Sequence, residues 1–166
     1  SDPTTATLAL RLAGREIALY VMPNPRGYVP DPANVGAVLK QRLEAVGLKP
    51  RILSPAWEGG VYLKELKEGK HDIALIGWMT DNGDPDNFAY VLLDPDNAQS
   101  GAASNVSFWK DPAVHALLAK AQETADEAER ARLYHEVMAK VRQDCPILPL
   151  ATTDGLAVTA GLDYPF

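Results

Sequence analysis

The chain has 166 residues, 46% of them hydrophobic and 23% charged, with a formal net charge of −6 and a single cysteine. This size and balance suit one globular domain with a real core. They exclude an internal disulfide and argue against a nucleic-acid partner, because phosphate binding needs clustered Lys and Arg. No apolar run approaches the roughly 20 residues that cross a bilayer, and the opening SDPTTATLALRL has neither the basic segment nor the cleavage pattern of a targeting peptide.

Residues 2–14 read as a short helix, with Asp2 as N-cap, Pro3 at its first position and Gly14 as its stop. Residues 15–22 (REIALYVM) form a strand stopped by PNPRG. Residues 31–47 form an amphipathic helix whose apolar positions Val35, Val38, Leu39, Leu43 and Val46 follow the 3.6-residue period, with Gly47 ending it. Residues 48–54 are a second strand, and 56–70 are helical from Val61 to a stop at Gly69. Residues 71–78 (HDIALIGW) are a third strand, so continuously apolar that burial on both faces and a central place in a parallel sheet are expected. The order β-α-β-α-β with right-handed crossovers predicts the strand order 2-1-3. It makes the first and third strands neighbours, about 5 Å apart. Their C-terminal ends carry PNPRG and MTDNGDPDN, at the switch point where open α/β sheets bind ligands.

The remainder is different in character. Residues 87–94 predict a short helix and 96–107 a polar loop, mobile or held at the surface. Residues 111–125 and 126–145 are two strong helices, the first capped by Asp111-Pro112. Residues 146–152 and 155–160 are expected to be strands, as a hairpin-like or edge pair. The tetrapeptide DPDN occurs at 84–87 and again at 94–97, in surroundings different enough to read as one piece of turn chemistry used twice.

The candidate site is GWMTDNGDPDNF, residues 77–88, where an apolar strand runs into three aspartates. The calcium-loop pattern is not satisfied from any of them. Asp84 and Asp86 suit a turn and a helix start, with Asp84-Pro85 as cap and first position. Asp81 precedes that cap and faces the switch-point crevice, where a carboxylate suits a ligand ammonium. Arg26 lies on a loop stiffened by three prolines and a glycine, a good fork for a carboxylate. The two opposite charges at one switch point suit a zwitterion such as an amino acid or short peptide. Trp78 either stacks on a ligand or closes the core at the strand end, whereas Trp57 and Trp109 read as packing residues. His71, His115 and His135 lack metal-ligand spacing. Cys145 reads as a buried structural thiol. No nucleophile elbow, phosphate loop or dinucleotide fingerprint is present.

Five blocks in order, LYVMPNPRGY, LKQRLEAVGLK, YLKELKEGKHDIALIGWMTDNGDPDNF, SNVSFWKDP and ERARLYHEVMAKVRQDCPILPL, resemble dipeptide-binding proteins. These are the family 5 extracytoplasmic solute-binding subunits of bacterial ABC transporters. The G-W-x-x-D-x-x-D-P-D-N-F block is the most specific, and the likeness is collinear over nearly the whole chain. The resemblance implies a type II periplasmic-binding-protein lobe of the α/β class, with residues 1–166 as a single domain, the second ligand-binding lobe, excised or truncated from a two-lobe protein. It implies that Asp81 pairs with the α-ammonium of a dipeptide and Arg26 with its carboxylate. Backbone groups around Gly77, Trp78, Met79 and Thr80 are implied to contribute as well. It further implies no catalysis and no cofactor or metal. The implied partners are the first lobe and a membrane ABC permease, in the bacterial periplasm or on a lipid anchor. Haem, glutathione, nickel or other peptides are alternative cargoes within that family.

Two other classes compete. A small metal-dependent hydrolase would use Asp81 and Asp84, and an interaction domain would dock a partner on the acidic loop 81–87. A lobe without its counterpart is also expected to self-associate through the switch-point face or its ends.

Overall fold

The computed structural model describes residues 13–152, so the helix expected at 2–14 and the strand at 155–160 lie outside the described residues. The described residues form five α-helices and a three-stranded parallel sheet. The strands are β1 (Glu16–Tyr20), β2 (Lys49–Leu53) and β3 (Ile73–Ala74), in the order β2-β1-β3 that the crossover argument predicts. β1 pairs with β2 from Glu16↔Lys49 to Tyr20↔Leu53, and with β3 only at Leu19↔Ile73 and Tyr20↔Ala74. Amides on either side extend the β1–β3 seam: Asp72 N–H donates to Ala18 O and Leu75 N–H to Tyr20 O.

The third strand corrects the sequence reading. β1 is the central strand, while β3 is two residues long and stands at the edge of the described sheet. The apolar run continues past it, but Leu75 is buried while Ile76 and Trp78 are exposed. Only the first half of the run contains strand.

Four helices begin with the same local device. An aspartate side chain accepts a backbone N–H two or three residues ahead, and three of the four carry proline behind the cap. Asp31 caps α1 (Pro32–Ala45) through Asn34 N–H, and Asp84 caps α3 (Pro85–Leu93) through Asp86 N–H. Asp111 caps α4 (Pro112–Glu123) through Ala113 N–H, and Asp126 caps α5 (Glu127–Asp144) through Glu129 N–H. The second DPDN repeats the device, with Asp94 capping a single 3-10 turn at Pro95–Asn97. α2 (Val61–Lys67) instead follows a 3-10 turn at Glu58–Gly60.

Two apolar clusters form. The sheet cluster holds Leu19, Tyr20, Val21, Met22, Tyr62, Leu66 and Leu75, with Val35, Leu39 and Leu43 of α1 packed on it. Val38 and Val46 of the expected stripe are exposed, so the apolar face of α1 is narrower than its periodicity suggests. The helical cluster joins Ala89 and Leu93 of α3, Val114, Leu118 and Ala121 of α4, and Leu133, Tyr134 and Val137 of α5. Each large side chain buried this way contributes about 1.5–3 kcal/mol.

Residues 98–108 are a loop, as expected for 96–107, but it stitches the two halves together and is partly buried rather than mobile or held at the surface. Ala98, Ala103 and Asn105 are buried. Asn105 Nδ2 donates to Asp94 O and Trp109 O, and its Oδ1 accepts from Ser107. Gly101 N–H donates to Lys67 O at 2.7 Å. After α5, residues 146–152 are not a strand, and Leu148 and Leu150 stand exposed. Cys145 is exposed too, in the left-handed C-cap position of α5 (φ 52°), so it is not the buried structural thiol that the sequence suggests.

Candidate functional site

Because the three strands are parallel, the loops that follow them meet at one edge of the sheet. The loop after β1 carries Arg26, the loop after β2 carries Trp57, and the loop after β3 carries Gly77 to Asp81.

Arg26 is half-buried. Its backbone N–H and C=O exchange hydrogen bonds with Val29, both at 2.9 Å, closing the proline-rich loop into a tight ladder. Its guanidinium carbon lies 3.7 Å from the centre of the Trp57 ring, a cation–π contact. Trp57 in turn stacks on Tyr62 at 5.7 Å with 26° between planes. Tyr62 is buried, and its hydroxyl donates to Leu75 O at 2.7 Å, at the end of β3. Burial drives the Tyr62 phenol far above its ordinary value, so it remains a donor. Arg26 Nε is buried without a hydrogen-bond acceptor among the described residues. Such a donor costs about 1–3 kcal/mol while unmet. Trp57 is therefore a packing residue, as expected, but what it packs is the guanidinium. Only the fold supplies that link, across 31 positions.

Asp81 is exposed and held by polar contacts. Asn87, in the first turn of α3, accepts from Trp78 Nε1–H at 3.2 Å and from Asp81 N–H at 3.2 Å. The same side chain donates from Nδ2 to Asp81 Oδ2 at 3.3 Å. Trp78 does not close the core. Its ring is exposed beside Met79, which is 74% exposed, and Thr80. Gly77 has a steric role: a Cβ there would lie 2.2 Å from two carbons of the Tyr28 ring. Tyr28 is two residues past Arg26, so the loops after β1 and β3 pack on each other where Gly77 lets the ring in.

Asp84 and Asp86 have other duties. Asp84 caps α3 and takes a two-pronged ion pair from Arg130 of α5, at 2.8 and 3.1 Å. Arg130 also donates to Ala121 O and Tyr134 Oη. The Arg130 guanidinium, then the Asp86 N–H, hold the Asp84 carboxyl below its usual value of 3.8. Asp86 accepts from Gln122 Nε2. The Asp81/Asp84 pair required by a metal hydrolase is thus divided between Asn87 and Arg130. Arg130 lies 46 positions from Asp84 and carries no sequence signal beyond its place on a helix.

A group with metal-holding geometry among the described residues is Asp94, Asp96 and His115, whose ligand atoms lie within 4.8 Å of one another. It sits at the end of α3 remote from Asp81. His115 Nδ1 is 2.9 Å from Oδ2 of the buried Asp94, whose Oδ1 accepts Asp96 N–H. These contacts account for the group as partners of a buried carboxylate. No described helix is long and apolar enough to cross a membrane.

The sequence model of bacterial extracellular solute-binding proteins, family 5 (middle region), matches residues 2–100. The chain belongs to this family. Di/tripeptide-binding protein 4 of Pseudomonas aeruginosa is 39% identical over 153 residues, 90% of this chain and 28% of the relative. Among solved structures, HbpA2 from Haemophilus parasuis superposes with a TM-score of 0.77 at 30% identity, covering 86% of this chain and 27% of that one. The dipeptide binding protein of Pseudoalteromonas sp. SM9913, solved in complex with Met-Leu, gives 0.73 at 28% identity over 80% of this chain and 25% of that one. The chain spans just over a quarter of the relatives it matches. The family is one of solute-binding transport proteins found outside the cytoplasm, and its periplasmic-binding-protein neighbours share this α/β fold.

Proposed function

We propose that residues 1–166 form one ligand-binding lobe of a peptide-binding ABC-transporter solute-binding protein, gripping the zwitterionic backbone of a dipeptide without catalysis. Arg26 takes the ligand carboxylate and Asp81 its ammonium. Gly77, Trp78, Met79 and Thr80 line the approach between them. One observation carries the reading. The loops bearing the two opposite charges leave adjacent parallel strands and pack together through Tyr28 on Gly77, with a buried Arg26 Nε–H that has no acceptor among the described residues. Peptide-binding relatives support the choice of cargo. In the intact system the partners are the other lobe of the same protein and a membrane permease, in the periplasm or on a lipid anchor.

The energetics set the affinity of this chain alone. Ion pairs made in water contribute about 0–1 kcal/mol each, against roughly 4 kcal/mol or more of lost ligand freedom. Binding is therefore millimolar or weaker, about −4 kcal/mol. Amide NMR titration with L-alanyl-L-alanine is expected to move the 23–30 and 77–87 loops, with weaker binding of the N-acetylated and the C-amidated peptides. Equal binding of all three peptides overturns the reading, and micromolar affinity by calorimetry overturns the energetics. The exposed Ile76, Trp78 and Met79 also favour self-association of the isolated chain through this face. A monomer in sedimentation at millimolar concentration would remove that idea.

A further inference from the structure

We infer that Asn87 is the positioning residue of the ammonium site, orienting both the Asp81 carboxylate and the Trp78 indole from the first turn of α3. The inference rests on the assignment of Asp81 to the ligand ammonium. Asp81 and Trp78 are both exposed, so apolar packing does not hold them. What the structure offers them is one side chain with three hydrogen bonds. Asn87 Oδ1 accepts from Trp78 Nε1–H and Asp81 N–H, and Nδ2 donates to Asp81 Oδ2. The amide can face only one way. Indole and backbone N–H groups are donors alone and require the oxygen, while the carboxylate requires the NH₂. The environment therefore selects an amide. Aspartate would keep the two accepted bonds but set a second carboxylate against Asp81, and serine is too short and carries a single donor.

The platform beneath Asn87 is fixed from the helical half of the molecule. Asn87 N–H donates to Asp84 O, Asp84 caps α3, and Arg130 of α5 clamps the Asp84 carboxylate with two bonds. Asn87 thus converts the rigidity of α3 and α5 into a defined direction for a carboxylate on a loop. Using Oδ2 for the tether leaves Oδ1 for a ligand donor, since no second donor reaches the Asp81 carboxylate among the described residues. The ligand class is a primary ammonium placed beside an indole face.

The test is NMR titration of the 166-residue chain with L-alanyl-L-alanine, following the Trp78 indole N–H peak as well as affinity. Asn87→Ala is expected to weaken binding about fivefold. It should move the Trp78 peak toward that of a water-exposed indole, with the Trp57 and Trp109 peaks unchanged. Asn87→Asp keeps the accepted bonds and should leave the Trp78 peak in place, so it carries the test if Asn87→Ala does not fold. The double variant with Asp81→Asn should bind no more weakly than Asp81→Asn alone. A Trp78 peak that moves in Asn87→Asp, wild-type binding by Asn87→Ala, or full additivity in the double variant overturns the role of Asn87. Wild-type binding by Asp81→Asn overturns the ammonium assignment itself, and this inference with it.

Discussion

The two charged side chains of the crevice are moored by opposite means. Arg26 is held by aromatic surface, with its guanidinium on Trp57, Trp57 on Tyr62, and Tyr62 tied to the end of β3. Asp81 is held by hydrogen bonds alone, through Asn87 on α3. The first mooring belongs to the sheet cluster and the second to the helical cluster. A flat, weakly hydrated guanidinium can lie on a ring and keep its edge donors available. A carboxylate has no such face and must be oriented by donors, at the cost of an acceptor position. The stability of the fold therefore sits under the arginine, and the aspartate can be altered with little structural consequence.

Substitutions can break this contrast in graded steps. Trp57→Ala, which removes the ring between Arg26 and Tyr62, is expected to cost about 2 kcal/mol in urea unfolding, as the removal of a half-buried aromatic should. It should leave the Trp78 indole peak unmoved. A shift of that peak would mean the two moorings are coupled. Gly77→Ala acts on the seam between them. The new methyl must displace the Tyr28 ring, for an expected loss of about 1.5 kcal/mol, with disturbance of both loops. An effect confined to 77–81 would show that Tyr28 swings aside freely.

The smallest effect concerns a group outside both moorings. His71 Nε2 donates to Val106 O at 2.9 Å, tying the 98–108 segment to the sheet, while its Nδ1 is buried with no hydrogen-bond partner among the described residues. Burial lowers its basicity from the ordinary 6.5. The native state therefore resists a proton that the unfolded chain accepts. Stability is full above about pH 6.5 and falls as the pH drops through that value toward the lower native pKa. Urea midpoints at pH 7.5 and 5.5 should differ in that direction, and His71→Phe should shrink the difference. A larger difference in the variant would place the acid sensitivity elsewhere.

Much of the frame was legible in the residues. The β-α-β-α-β order led to the strand order β2-β1-β3, because crossover handedness leaves few choices. The Asp-Pro pairs at 84 and 111 marked helix starts, since each cap bond spans only two or three residues. The Arg26 and Asp81 loops follow adjacent strands for the same topological reason. Two of the differences share one origin. HDIALIGW reads as a buried central strand and PILPLAT as a strand, because apolar character signals burial in a sheet. Ile76, Trp78, Leu148 and Leu150 are instead exposed. Cys145 is exposed for another reason: it ends α5 in the left-handed C-cap position.

By itself, then, the sequence determined the local and topological facts: where helices start, which strands are neighbours, and which loops share the crevice. Those follow from short-range hydrogen bonds and chain handedness, which act within a few residues or one crossover. Only the tertiary structure decided what holds the three charges, namely Trp57 beneath Arg26, Asn87 behind Asp81 and Arg130 behind Asp84. The distant pairs, 31 and 46 positions apart, come together only when separate elements pack. Asn87 is near in sequence, yet its role depends on a loop bending back over the first turn of α3, a geometry that residue spacing does not encode.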